Sequence, residues 1–491
     1  MISRRHLLFG GGIGLLALSG CGPQQAVDLV LGTQPPPTAI NAATTLDLPA
    51  HVLRRLTFGE HPDDRAALLA LAKTPDAAVE AWVVRQLHPE TIDDDACERL
   101  IRRREALAQP LGELYEFKER VLLHELTAAT LLRAVYSKRQ LHEQLCHFWN
   151  DHFNIDMSKG ECAWVTVAYD RDVIRPHALG RFSAMLRAVA LSPAMLWYLD
   201  GRVNRVDGTG TKATKPNENF ARELLELHTL GIDGGYTQQD VMEVARCLSG
   251  WTVRDQHQWR KGTVEFHREA HDNGAKTVLG QSIAAGGGER DLDQVLRIVA
   301  THPSTARHVA RKLCTRFIAD DPPTTAIAEV AQAFTVSNGD LALTMRALIS
   351  CDDFRDPGRF ASKLKRPFHY VASCLRATAA HCDGGNAVID YLGRLGHLPF
   401  QFPTPNGQPE KAEAWTGTLL WRWRFAGAFT RGALPGTRVD TEALVKRFGS
   451  PTATAAHLFG RQADARETAA LAAAGNNALS LALGSPAFQR C

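Results

Sequence analysis

Asn217-Glu218-Asn219-Phe220-Ala221-Arg222-Glu223-Leu224-Leu225-Glu226-Leu227-His228-Thr229-Leu230-Gly231 is the densest polar stretch of the chain, and its periodicity sets the fold class. At about 100° per residue, Asn219, Arg222, Glu223 and Glu226 fall on one arc, and Phe220, Leu224, Leu225 and Leu227 on the other. Asn219 is a natural N-cap and Gly231 a natural C′ residue, so a helix over 219–230 is delimited at both ends. His228 lies in the middle of the apolar arc.

The same helical period recurs on either side. It predicts helices at 48–57, 62–73, 76–87, 93–107 and 113–135, and then one to about residue 152 opened by a Ser137/Gln140 capping box. Further helices are expected at 160–175, 181–191, 238–249, 291–300, 304–318, 323–335, 340–349, 362–380 and 417–431. Residues 200–217 read as a long loop. Between 251 and 285 the pattern changes to short β-like pieces at 263–266 and 276–279, with Asn273-Gly274 as turn chemistry. The expected fold is mainly α, a large multi-helix single domain over 47–491 with a small β-hairpin excursion. The Ala-rich tail after Ala463 reads as a final helical appendage.

Two carboxylates three residues apart on one helix face suit metal ligation or an acid/base pair, so Arg222, Glu223 and Glu226 are the candidate catalytic residues. His152 points inward from its own helix, with Leu141, Leu145, Phe148 and Trp149, while Glu143, His147 and Asn150 take another face. A divalent metal would draw its ligands from His152, Glu223, Glu226, His228, His271 and Asp272, with Arg222 stabilising anionic charge. The alternative is an Arg–Glu network between helices, with His152 and His228 as core histidines. His142 and His147 are five apart and diverge, so the zinc-protease pattern does not apply. Arg175 and His177 flank Pro176, where a helix-cap role suffices. No residue set is read as an organic-cofactor site: Gly208-Thr209-Gly210-Thr211-Lys212 lacks phosphate-loop spacing, and no Gly-x-Ser-x-Gly elbow or dinucleotide fingerprint occurs.

The N-terminus carries the address. Ser3-Arg4-Arg5 before a short, Gly-rich apolar stretch resembles a twin-arginine export signal over residues 1–21, an ordinary secretory signal being the alternative. Leu18-Ser19-Gly20-Cys21 resembles a lipobox, in which Cys21 receives the lipid that holds the protein to a membrane. Gly22, rather than Asp, implies the periplasmic face of the outer membrane in a Gram-negative host. Residues 22–46, with Pro35-Pro36-Pro37, read as a flexible tether. Removing residues 1–21 takes away Arg4 and Arg5 and no acid, so a net charge of +3 becomes +1. Such a balance leaves no electrostatic footprint for nucleic acid. The nine cysteines after Cys21 are irregularly spaced, which is not a disulfide framework.

Phe148-Trp149-Asn150-Asp151-His152-Phe153, Ile174-Arg175-Pro176-His177, Pro193-Ala194-Met195-Leu196, the 217–231 run, Tyr236-Thr237 and Gly250-Trp251-Thr252 together resemble one bacterial family. It is catalogued as domain of unknown function 1800. His302-Pro303, Lys312-Leu313 and the stretch from Pro403 through Gly407 ahead of Trp415 continue the likeness, which covers most of the chain after the tether. The family positions mapped here are Trp149, His152, Arg175, His177, Asn217, Glu218, Asn219, Arg222, Glu223, Glu226 and His228. The resemblance implies a large, mostly helical, exported protein, often encoded beside a second exported family related to sulfatases and alkaline phosphatases. It implies no reaction.

Two functions stay open on these residues. One is an envelope enzyme, a hydrolase or oxidoreductase, with a metal or other cofactor inserted before export. The other is a non-catalytic scaffold or accessory subunit partnering another exported protein. An open pocket with unpaired carboxylates would favour the first, and closed bidentate Arg–Glu pairs the second.

Overall fold

The computed structural model describes residues 45–206, 215–256 and 260–491. The expected twin-arginine signal, Cys21, nearly all of the expected tether and the middle of the 200–217 loop lie outside the described residues. The chain divides between Leu46 and Asp47. From Asp47 onward it is mainly α, with three small two-stranded antiparallel ladders among the described residues.

The first helix, α1 (Leu48–Leu56), is capped by Asp47, whose Oδ1 accepts from Ala50 N at 3.1 Å, and Pro49 stands in its first turn. Both features favour initiation, because the first turn has N–H groups without helical partners and Pro lacks one. Every residue of α1 is buried, including His51, Arg54 and Arg55. Two long helices follow, α2 (Glu119–Tyr136) and α3 (Gln140–His152).

The expected capping box at Ser137/Gln140 does not form, and the same residues lock the α2–α3 corner instead. Ser137 Oγ donates to Asp94 Oδ2 at 2.7 Å, and Gln140 Nε2 donates to Ala134 O and Ser137 O. Gln140 Oε1 accepts from Phe58 N at 2.9 Å. The bonds to Asp94 and Phe58 take the place of the reciprocal local pair.

The 219–230 segment is helical, with one change of pitch. An α-helical turn, α4 (Asn219–Glu223), passes into a π-helical stretch, Leu224–Thr229. Leu230 N bonds to Leu225 O at 2.8 Å and Thr229 Oγ1 to Leu224 O at 2.6 Å. A wider turn advances each residue by less than the α-helical angle, so the arcs drawn from sequence fail beyond Glu223. Capping also sits earlier than expected: Asn217 Oδ1 accepts from Asn219 N, while Asn219 Nδ2 donates to Leu199 O. Gly231 is left-handed, as a C′ glycine should be (φ 87°). A second π stretch, Tyr169–Ile174, interrupts the helix expected over 160–175.

Helix α5 (Gln238–Cys247) opens with a Thr237/Asp240 capping box. The β excursion follows it: β1 (Trp251–Val253) pairs with β2 (Val264–Phe266), and β3 (Lys276–Val278) with β4 (Gln281–Ile283). The β3–β4 turn is not Asn273-Gly274 but Leu279-Gly280, both left-handed, with Leu279 N tied to Asp240 Oδ1 at 2.7 Å. Asn273-Gly274 turns earlier, over Asp272, whose Oδ1 accepts from Gly274 N. A third ladder joins β5 (His381–Cys382) to β6 (Thr437–Arg438).

Helices α6 (Pro303–Phe317), α7 (Thr324–Val336) and α8 (Leu341–Ser350) pack consecutively. The buried helix α9 (Pro367–Ala377) is the axis of one apolar core, shared with α10 (Leu419–Thr430) and α11 (Ala478–Gly484) through Tyr370, Phe425 and Leu483. The tail is therefore not an appendage. Arg54 donates to Leu458 O, Ala487 O and Arg490 O at 2.7–3.1 Å. Arg55 donates to Phe317 O, Ile318 O, Arg359 O and Cys491 O at 2.6–3.3 Å. The nine described cysteines are free and buried, and burial pushes the Cys97, Cys162, Cys247, Cys314 and Cys374 thiols up to about 12.

Replacing Arg55 by Met leaves several buried carbonyls without donors, each costing about 1–3 kcal/mol. Urea unfolding of Arg55→Met is expected to show a loss of at least ~3 kcal/mol on that scale, and proteolysis should release the tail first.

Candidate functional site

The C-terminal half of α3 carries ionisable side chains into the interior. His147 and Asp151, four residues apart, share one face, and His152 takes another. Asp151 Oδ2 accepts from Arg366 at 2.7 Å and from Arg316 at 3.0 Å. Glu410 accepts from Arg316 at 2.6 Å and lies 3.5 Å from Arg366. Two carboxylates and two guanidiniums thus alternate around one centre. Burial alone would raise both acids, but Arg366 holds Asp151 well below the usual carboxylate range, and Arg316 lowers Glu410. Arg366 also donates to His147 Nδ1 at 3.0 Å, which makes that nitrogen an acceptor.

One helical turn earlier, Arg175 clasps Glu143 through two bonds of 2.5 and 3.0 Å. The cap role expected for Arg175 is corrected: its side chain reaches across to α3 because a buried carboxylate needs a cation.

A loop over 402–410 closes this centre. Asn154 Nδ2 donates to Phe402 O and Thr404 O, Tyr198 Oη donates to Pro403 O, and Trp415 Nε1 donates to Pro409 O. Gly407 is left-handed (φ 73°), and a Cβ there would stand 1.9 Å from Asp151 O. Only glycine lets the loop press onto the end of α3.

Beneath the loop is a cavity of about 240 Å³, lined by Phe148, Asp151, His152, Lys312, Phe402 and residues 406–410. A second space, about 30 Å³, lies between Glu143, His147, Asn150 and His397, with room for one water. Lys312 is the one cation at the larger cavity for which no direct hydrogen bond or ion pair is found. Burial lowers its amine to about 8, against the pull of Glu410 and Asp151.

The sequence-predicted residues fall in three places. Arg222 donates to Glu218 at 2.9 Å and to Gln238 at 2.8 Å in a half-exposed network. Glu223 is raised above the usual range by burial and by Glu226 beside it, and Glu226 accepts from Tyr236 Oη at 3.2 Å.

His152 and His228 are neighbours, with ring centres 6.3 Å apart. His152 Nε2 donates to His228 O, and His308 Nε2 donates to Leu227 O, so two histidines cap carbonyls at the end of the π stretch. The His228 ring has no hydrogen-bond partner, and burial lowers it to about 3.

His271 and Asp272 lie in a separate buried cluster. His271 Nδ1 donates to Ser249 O, its Nε2 faces Asp291 Oδ2 at 3.1 Å, and Lys276 reaches the same oxygen at 2.7 Å. Asp272 is bidentate with Arg246, at 2.8 and 3.0 Å. Ser249, His271 and Asp291 stand in the order of a hydrolase triad, but the Ser249 hydroxyl is buried and donates to Arg246 O. Among the described residues no group of three His, Cys, Asp or Glu side chains is placed to hold a metal ion.

Sequence reasoning passed over Arg316, Arg366, Glu410 and Lys312. Their signal was weak: Lys312 and Arg316 sit among other basic residues of one helix, Arg366 ends a basic run ahead of another, and Glu410 follows a Pro-Asn-Gly loop.

The fold and site define a class: a large helical protein built around a sealed arginine–carboxylate lattice, with one lysine-bearing cavity beside it. The chain belongs to the family described as Protein of unknown function (DUF1800), whose profile matches residues 51–490. No curated protein and no solved structure matches the chain.

Asp151→Asn leaves two buried guanidiniums sharing one carboxylate and is expected to cost roughly 3–5 kcal/mol in chemical denaturation. Arg222→Ala, a half-exposed pair, should change stability by less than ~1 kcal/mol.

The buried histidines give a pH dependence. His51, His228, His308 and His457 have folded values of about 3–4, below the ordinary 6.5. The unfolded chain therefore binds more protons in that window, and stability falls as pH drops from 6.5 towards 3. His228→Leu should reduce the slope by up to ~1.4 kcal/mol per pH unit, as read from melts at pH 7, 6 and 5.

Proposed function

We propose that this is an exported, lipid-anchored cell-envelope protein that binds a small anionic molecule in the cavity beside Lys312. The observation that carries the ligand site is charge balance at the cavity. Arg316, Arg366 and Lys312 stand against Asp151 and Glu410, leaving one positive charge without a direct partner. Lys312 is half-buried, and a cation withdrawn in part from water without a bonded partner is stabilised when an anion joins it. The cavity, about 240 Å³, suits a molecule of a few to about a dozen heavy atoms. The closed Arg–carboxylate pairs serve rigidity, holding the floor of the cavity in one arrangement.

The address rests on the Arg4-Arg5 and Cys21 motifs, with the periplasmic face of the outer membrane as destination in a Gram-negative host. No helix among the described residues is long and apolar enough to cross a membrane.

A second reading, an accessory subunit for an exported sulfatase- or phosphatase-like protein, is favoured by an apolar surface patch. Leu420, Trp423 and Leu481 are 54, 57 and 44% exposed, beside a groove of about 470 Å³ lined in part by Trp423 and Leu481.

The test is thermal shift of the purified protein in acetate, lactate and phosphate against matched chloride. A saturable rise in Tm that Lys312→Met abolishes is expected; no rise with any anion, or one equal in the variant, would remove the ligand reading. Cys21→Ala should move the protein from the membrane to the released fraction.

A further inference from the structure

We infer that Lys312 forms a reversible Schiff base with the carbonyl carbon of a small aldehyde or keto acid admitted to this cavity, a step that rests on the cavity being a ligand site. The geometry supplies each condition that such a bond needs. No acceptor holds the Lys312 Nζ by a direct hydrogen bond, because the two nearby carboxylates, Asp151 and Glu410, are occupied by Arg316 and Arg366. Phe148, Phe402 and Pro409 supply the apolar part of a wall that also carries Asp151, His152, Asn406, Gln408 and Glu410, and partial withdrawal from water disfavours the ammonium form.

The groups facing the amine are distributed over four elements. Asp151 and His152 come from α3, Glu410 from the 402–410 loop, His228 from the π stretch, and His308 and Arg316 from α6, one turn to either side. The histidines donate to carbonyls or are held neutral by burial, so none neutralises or repels Lys312 as a full charge. Burial lowers the amine, Glu410 and Asp151 raise it, and Arg316 lowers it, to a balance near 8. At pH 7.5 the free-amine fraction is therefore larger than that of an ordinary lysine.

The step balances without a further reactant. The free amine adds to the carbonyl carbon, its proton passes to the carbonyl oxygen, and the resulting carbinolamine loses water to give the imine. A keto acid fits best, because its carboxylate answers the positive charge of the site.

The experiment is reductive trapping with glyoxylate and cyanoborohydride at pH 7.5, followed by peptide mapping of the whole mature protein. Lys312 is expected to be labelled at least about tenfold faster than the exposed Lys73 and Lys118. Lys312→Arg keeps the charge and should keep part of the anion-induced rise in Tm, while losing the label at this position. Labelling at Lys312 no faster than at the surface lysines, with the rise in Tm intact, would overturn the Schiff base and leave the binding site standing. Loss of both in the wild type would overturn both.

Discussion

A guanidinium carried out of water needs acceptors for its N–H groups, and that demand organises this molecule. Arg54 and Arg55, adjacent on the buried helix α1, face different directions and meet seven backbone carbonyls from distant segments. Arg376 does the same between α9 and the chain near Gly59 and Val135, and Arg422 between α10 and Lys365. Since each bond reaches a carbonyl left over at a helix end or in a turn, the arginines satisfy the groups that a many-helix fold would otherwise bury unpaired. Hydrophobic burial supplies the bulk of the driving force. The arginines determine which helix ends meet.

The lattice around Asp151 is the same device with carboxylates as acceptors. Burying an ion pair is rarely a net gain over apolar packing, but removing one partner is costly. A centre of this kind therefore admits one arrangement and resists others. The floor of the Lys312 cavity is built from it, and the 402–410 loop, seated through Gly407, is its roof. Rigidity and a reserved charge are what a small binding site requires. Here they come from side chains on α3, α6, the segment before α9 and one loop.

Helical periodicity was legible because it is local: an apolar face must repeat at the helical pitch whatever the helix packs against. The Thr237/Asp240 box that opens α5 is local in the same sense. Ser137 and Gln140 carried an equally good local signal but were drawn to Asp94 and Phe58, and residues 224–229 widened to π pitch. At Ser137 and Gln140 tertiary contacts outweighed a capping preference of about a kilocalorie. The polar face of residues 219–226 attracted attention because its charges are clustered in sequence, yet its arginine bonds Glu218 and Gln238 near the surface. The working charges of the interior are dispersed over 260 residues, from Asp151 to Glu410, and no window of sequence contains two of the four lattice members.

By itself, the sequence determined that the chain is helical, where many of its helices begin and end, and which family it joins, since those properties reside in neighbouring residues. Only the tertiary structure decided which charges share a centre and which are sealed, and that Lys312 faces a cavity with no partner. The physical reason is that the cost of a buried charge depends on what surrounds it in space, and those surroundings come from segments far apart along the chain.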